Sequence, residues 1–432
     1  MAVDFKYIVV GRGLMGAAAA RHLARQVDGV AVIGPDEPDD RKAHQGVFAS
    51  QYDEGRITRT IDPDRNWALL ANRSIGRYGE IARDSGIDFY REAGCVVVAP
   101  TQSDYLERTR QAAISLGVET RLLDGAGLKA AFPFFAFPDG GAGVFEAKGA
   151  GHISPRSLVK AQSLLAEKAG ATVIRDYVVS IRSEGGVAVV ETSGGRTCRG
   201  EKVLLAAGGF SIAENLLPRP LAMTVYARTV TLFEVGEADA ARLAAMPSLI
   251  LRAPGIDIYL LPPIRYPDGK FYLKIGGDPD DMALSSEADM RAWFRTEGRD
   301  TVRAHLKRIV EGLVPDIVPL SISTAACVVS HTESGYPMIG YTSSPEIAVL
   351  TGCAGTSAKS SDEIGRLGAE LLLSGGIGGQ GYSTDFTPQF RQSISVFLRT
   401  TEVLSFLLFR NSGRKTDAQC CWNCSERYRL FR

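Results

Sequence analysis

The sequence predicts an α/β protein: a discontinuous, Rossmann-like dinucleotide-binding domain interrupted by a β-rich α+β insert. Three observations predict it. An apolar strand runs into the glycine fingerprint Gly11-Arg12-Gly13-Leu14-Met15-Gly16. Far along the chain a second hydrophobic strand ends in the small-residue turn Ala206-Ala207-Gly208-Gly209, where backbone can pass close to a bound dinucleotide. Beyond residue 222, aromatic and β-branched residues alternate as in strands, ahead of a last glycine-rich segment running from Gly352 to Lys359.

The fingerprint comes first in the chain. Gly11 permits the tight turn, Gly13 lets a pyrophosphate approach the backbone, and Gly16 allows helix and strand to pack closely. A helix over 15–26 would offer the anion free amides and a positive end, with Leu14 and Met15 at its mouth. The second strand, Val30-Ala31-Val32-Ile33, should end about 20 residues after the glycines in a carboxylate for the adenosine ribose. Gly34 stands there instead, which leaves Asp36 or Glu37 in the next turn to supply it.

Further on, Trp67, Leu70, Ile75, Tyr78 and Ile81 recur near helical spacing and predict one helix over 66–85. A strand at 95–99, a helix at 103–116 and a Pro/Phe-rich loop at 132–138 follow, then a helix at 156–169. Strands are predicted at 171–175, 177–183, 187–192 and 202–206. In the insert they are predicted at 226–235, 256–262 and 270–275, with helices at 237–245 and 286–309.

Two domains are the natural expectation for 432 residues, and 45% apolar residues suffice for real cores. Forty-nine basic residues balance 49 acidic ones, so the basic surplus of a nucleic-acid binder is missing. No apolar run reaches the roughly 18 residues of a membrane span, and no signal-peptide core opens the chain. A soluble, cytoplasmic protein is expected. Its seven cysteines (Cys95, Cys198, Cys327, Cys353, Cys420, Cys421 and Cys424) are scattered, as in a reducing compartment. The five histidines make no metal spacing, and Cys421-Trp422-Asn423-Cys424 lacks a second pair, so no metal site is expected. Residues 379–432, with an apolar run at 403–409, read as an appendage.

Four further segments carry a resemblance. They are Gly55-Arg56-Ile57-Thr58-Arg59, Leu273-Lys274-Ile275-Gly276, Ala326-Cys327-Val328-Val329 with Gly335-Tyr336-Pro337-Met338-Ile339-Gly340, and Gly352-Cys353-Ala354-Gly355-Thr356-Ser357-Ala358-Lys359. With the fingerprint, residues 5–385 resemble the FAD-dependent amino-acid and amine oxidases, and among them the sarcosine oxidase branch. The resemblance implies an FAD-binding domain from 1–92, 145–217 and 322–378, and a substrate domain from 93–144 and 218–321.

It also implies roles. Gly11, Gly13, Leu14, Met15, Gly16, Gly208, Gly352, Gly355, Thr356 and Lys359 would meet FAD, with Asp36 or Glu37 at its ribose. Cys327 would tether the flavin through a thioether, which needs a thiolate and hence a nearby cation. Arg59 and Lys359 would hold a substrate carboxylate, the task for which an arginine fork is suited. Lys359 would open a helix running to about residue 373, whose amides face the ring where negative charge builds. Arg56 would lie near the flavin, and Lys274 would promote reaction with O2, since superoxide is an anion.

The implied reaction oxidises the C–N bond of a secondary amine or N-alkyl amino acid. Hydride passes to flavin N5, the imine hydrolyses, and O2 restores the flavin with release of H2O2. The chain departs from the branch at Asp278, where a histidine is usual, and at Gln51 and Tyr52, where two are usual. A larger or differently charged amine than sarcosine is therefore expected, with Asp278 over it. The alternatives are a D-amino acid or glycine-type dehydrogenase passing electrons to a non-oxygen acceptor, and a non-catalytic FAD-binding subunit.

Overall fold

Five parallel strands set the position of the site. In the computed structural model, which describes residues 2–391, they lie in the order Thr172–Ile174, Val30–Ile33, Phe5–Val10, Thr197–Leu205 and Ile347–Thr351. All residues of Val30–Ile33 and Ile347–Thr351 are buried, as expected of parallel strands covered on both faces. Thr197–Leu205 divides one flank between two neighbours. Its first half pairs antiparallel with Val187–Thr192, and Val203–Leu205 pair parallel with Ile347–Val349. The helices Leu14–Ala24, Pro155–Lys168 and Ser361–Ser374 pack together beside this sheet. Gly365 makes the close approach possible, because a Cβ there would stand 2.5 Å from that of Ala18.

Strands of the insert join Cys95–Pro100, Arg121–Leu123 and Gly141–Glu146 in a nine-stranded, mainly antiparallel sheet. Its long strand Met223–Val235 pairs with Ser321–Thr332 along nearly its whole length, which sets Cys327 opposite Arg228. The helix Asp300–Leu313 buries Val302, Leu306, Val310 and Leu313 in the core of this sheet. A third sheet is small: Gly151–Ile153 lies between Arg56–Thr58 and Tyr90–Arg91.

Two expected helices are each two. The stretch 66–85 breaks after Arg65–Ile75 and resumes at Tyr78–Ser85; Gly76 caps the first helix, and the Arg77 side chain at the junction binds Asp362 and Glu363. The stretch 286–309 breaks between Glu287–Phe294 and Asp300–Leu313, where Gly298 takes φ +85°. The strand Ser248–Ala253 and the helix Gly125–Ala131 were not expected, since short apolar runs carry no decisive period. Near the end of the described chain Phe386 is buried, and its carbonyl accepts a hydrogen bond from Ile339 N at 2.7 Å. The run 403–409 and Cys420, Cys421 and Cys424 lie outside the described residues. Among the described residues no helix is long and apolar enough to cross a membrane, and no metal-ligating cluster is present.

Candidate active site

The fingerprint builds a cradle only glycine can make. Gly11 holds φ +105°, and a Cβ there would fall 2.4 Å from the Ala206 carbonyl oxygen. A Cβ on Gly16 would sit 1.9 Å from Gly11 O, whereas one on Gly13 would meet only Gln51 Oε1 at 3.4 Å. Gly11 and Gly16 thus close the turn, and Gly13 leaves its backbone open. One cleft gathers Gly11, Gly13, Leu14, Met15, Gly208 and Cys353. The first turn of Leu14–Ala24 carries no acidic side chain, so its positive end is uncompensated there.

The ribose position has a physical explanation. A Cβ on Gly34 would stand 2.6 Å from Arg12 N and Cβ, so no side chain fits the place of the usual carboxylate. Neither substitute is free. Asp36 pairs with Arg12 and Arg175, and Glu37 accepts both prongs of Arg156 at 2.6 and 2.8 Å. Arg12 Nε is buried without a partner.

On the far side of the cleft the chain is held in uncommon backbone. Gly352 and Gly355 have φ +88° and +71°, and Ala354 between them has φ +48°. A non-glycine residue in that region costs free energy and persists only where its surroundings impose it. Here Ser330 imposes it: its carbonyl accepts Ala354 N at 2.8 Å, and its hydroxyl accepts Cys353 N at 3.1 Å. Beside them Thr356 Oγ1 is buried with no partner. The glycine cradle and these orphaned polar atoms fit a bound dinucleotide.

Two ion clusters grow from the single segment 53–62. In the first, the Asp53 carboxylate takes close contacts from Lys274 and Arg56 and a hydrogen bond from the Tyr266 hydroxyl at 2.8 Å. Lys274 is fully buried and also donates to Gly55 O at 2.7 Å. Burial, and then the Arg56 charge, push its ammonium down to about 8. Arg56 directs Nη2 at Cys327 Sγ, 3.7 Å away.

In the second cluster, Arg59 Nη2 donates to Asp62 Oδ2 at 2.9 Å and Nη1 to Ile61 O at 2.5 Å. Lys359 Nζ lies 3.3 Å from the same Asp62 oxygen and donates to Thr356 O at 3.2 Å. Burial alone would raise the Asp62 pKa, but the Arg59 and Lys359 charges together hold it below the ordinary carboxylate value. Burial lowers the Lys359 pKa despite Asp62. Alongside, the fully buried Glu146 accepts Thr60 N at 2.9 Å, Ile61 N at 3.3 Å and the Thr60 hydroxyl. Burial raises its pKa against those bonds.

The structure therefore brings Arg56, Lys274 and Cys327 together, and Arg59 with Lys359. Asp278, expected over the substrate, joins neither group. Its Oδ1 meets Arg299 and Asp280 N, and its Oδ2 accepts Thr229 N at 3.0 Å. Lys359 lies where the expected helix begins, in the 3-10 turn Ser357–Ser360 that runs directly into the α-helix Ser361–Ser374. Asp362 and Glu363 are buried in the first turn of that helix. Asp362 receives Arg21, Arg77, His22 and Gln162, and these partners hold its pKa well down against burial. The positive charge here belongs to Lys359 rather than to the helix end. Sequence reasoning missed Asp53, Asp62, Tyr266 and Glu146. The signal for the two aspartates was present, because each stands three residues from an arginine of the segment.

A family model described as FAD dependent oxidoreductase matches residues 6–371. The chain belongs to that family. This flavin enzyme is 24% identical over 388 residues to monomeric sarcosine oxidase from Bacillus sp. (strain B-0618), covering 87% of this chain and 94% of the relative. It is 23% identical over 380 residues to N-methyl-L-tryptophan oxidase from Salmonella arizonae, covering 86% and 95%. Among solved structures it is similar to the open form of NikD, an unusual amino acid oxidase, with TM-score 0.71 and 19% identity over 90% of this chain and 99% of that one. Glycine oxidase from Geobacillus kaustophilus gives TM-score 0.67 and 20% identity over 90% and 100%. At such identity these structures show the shared fold.

Proposed function

We propose that this enzyme oxidises the C–N bond of a secondary or primary amine, with O2 as the electron acceptor. The observation that carries the reading is the convergence of Lys274, Arg56 and Cys327 around Asp53. Gly11, Gly13 and the helix start at Leu14 would hold the FAD pyrophosphate, and Gly352, Gly355, Thr356 and Lys359 its ring. FAD, when bound, supplies the two-electron acceptor for a hydride equivalent from the carbon beside nitrogen and returns the electrons to O2.

The chain's own side chains do the rest. Cys327, with Arg56 Nη2 3.7 Å from its Sγ, would tether the flavin through a thioether: the S–H and one 8α C–H bond would break, two protons would leave, and the two electrons would pass through the flavin to O2. The cations of the site disfavour an ammonium, so the substrate binds as the neutral amine that can be oxidised. Protonated Lys274 lowers the cost of the first electron reaching O2. The imine product hydrolyses in water without a protein base.

One observation favours a second reading, a dehydrogenase that uses another acceptor: Asp53 offsets part of the Lys274 charge. Anaerobic reduction of the yellow protein by an amine, followed by admission of air, separates the two. Rapid return of the colour with stoichiometric H2O2 supports the oxidase, and return over many minutes supports the dehydrogenase. Absence of any bleaching by primary and secondary amines would sink both. Acid precipitation tests the tether: the colour should stay in the pellet and leave it in Cys327→Ala.

A further inference from the structure

The second ion cluster already contains a carboxylate. Had Arg59 and Lys359 been waiting for one from a substrate, their donors would point into open space. Instead both terminal nitrogens of Arg59 are occupied, Nη2 by Asp62 Oδ2 at 2.9 Å and Nη1 by Ile61 O at 2.5 Å. A carboxylate arriving from outside would have to compete for a guanidinium and an ammonium that already share Asp62. Lys359 divides its ammonium between the same Asp62 oxygen and Thr356 O. The side chains of Arg59, Asp62 and Lys359 are only 7%, 7% and 4% exposed.

We propose that Asp62 is a built-in counter-anion that fills the Arg59–Lys359 pair, so that the site selects amines with no carboxylate beside the reacting nitrogen. This rests on the amine-oxidising reading above and narrows its substrate class. A carboxylate carried by the chain itself outcompetes one from solution, because it loses no translational freedom on binding. Displacing it would leave Asp62 charged, buried and unpaired, which is the costliest state for an ion.

The test is calorimetric titration of the full-length holoprotein with propionate, a probe that reports anion binding without turnover. The wild type should show no saturable binding up to tens of millimolar. Asp62→Ala should bind propionate at least tenfold more tightly, and Lys359→Met in the same chain should abolish the gain. Should Asp62→Ala fail to fold, Asp62→Asn keeps the shape, removes the charge and should show the same gain. Saturable binding to the wild type within threefold of either variant overturns the proposal.

A matched substrate pair gives a second readout. The wild-type flavin should be reduced at least tenfold faster, as kcat/KM, by N-methylbenzylamine than by N-methylphenylglycine, and Asp62→Asn should narrow or reverse that ratio. A wild-type preference for the amino acid also overturns the proposal. If neither compound bleaches the flavin, the amine-oxidising reading fails for this pair, and the calorimetry alone decides the role of Asp62.

Discussion

The clusters around Asp53 and Asp62 are built to one plan and end in different states. Each pairs an aspartate with an arginine three residues away in the segment 53–62 and adds a lysine from a distant part of the chain. The first stays open to chemistry. Its Arg56 is 19% exposed and reaches Cys327 as well as Asp53. The second is the more buried at its arginine, with Arg59 and Asp62 each 7% exposed, although the terminal nitrogens of Arg56 are also bound to the chain, at Gly55 O and Ser50 O. A cation held by a carboxylate can still act on a third group when it keeps a free direction, and it serves selection or support when it keeps none.

Several substitutions would break or sharpen that contrast. The largest effect is expected from Arg59→Ala, which strands buried carboxylate charge. Loss of one partner from a buried ion pair costs about 3–5 kcal/mol, whereas Arg56→Ala, at a partly exposed position, should cost clearly less in denaturant unfolding. Equal losses would erase the distinction between the more buried and the more exposed cluster.

Next is Lys274→Met. Removing one preorganised stabiliser of developing negative charge costs roughly 100- to 1000-fold in rate, so reoxidation of the reduced flavin, followed by stopped flow in aerated buffer, should slow by that order. Lys359→Met, which removes a contact to the ring rather than the oxygen-facing cation, should slow reoxidation much less. The reverse pattern would move the oxygen-reactive cation to the second cluster.

The pH dependence is a finer test. The Lys274 pKa is lowered to about 8, so its cation is present below that value and lost above it. Reoxidation should be fast and flat below pH 8 and fall by about tenfold per unit above it, since each pH unit removes tenfold of a protonated form. Lys274→Met should be flat throughout. The smallest expected effect concerns acid stability. The Asp62 pKa is held down in the folded protein, so its stabilising contribution is present above the ordinary carboxylate pKa and lost as pH falls through the folded value. Asp62→Asn should make unfolding free energy less dependent on pH in that acid window, and an unchanged slope would deny Asp62 its ionised role.

Much of the nucleotide end was legible in the sequence, because a glycine required by a turn is a local demand. Gly11, Gly13 and Gly16 could be assigned parts from six residues, and the structure gives each the predicted backbone environment. The charged end was legible only as a set of cations. Whether Arg59 waits for a ligand or is satisfied by Asp62 depends on how the chain folds back at Ile61, and Lys359 comes from almost 300 residues away. Asp278 shows the same limit. Its place in the sequence suggested the substrate, yet Arg299, on a different element, captures it. The two broken helices had their glycines in plain view, but the two carboxylates that hold the Arg77 side chain lie far along the chain.

The divided flank of Thr197–Leu205 has a consequence for how the protein is made. During synthesis Val203–Leu205 emerge well before their partners at Ile347–Val349. At about 5–20 residues per second, that edge waits roughly seven to thirty seconds for its neighbour. An unpaired hydrophobic edge is a template for the wrong strand. The nascent chain is therefore most exposed to misassembly in that interval, and the cleft is complete only after the last parallel strand leaves the ribosome.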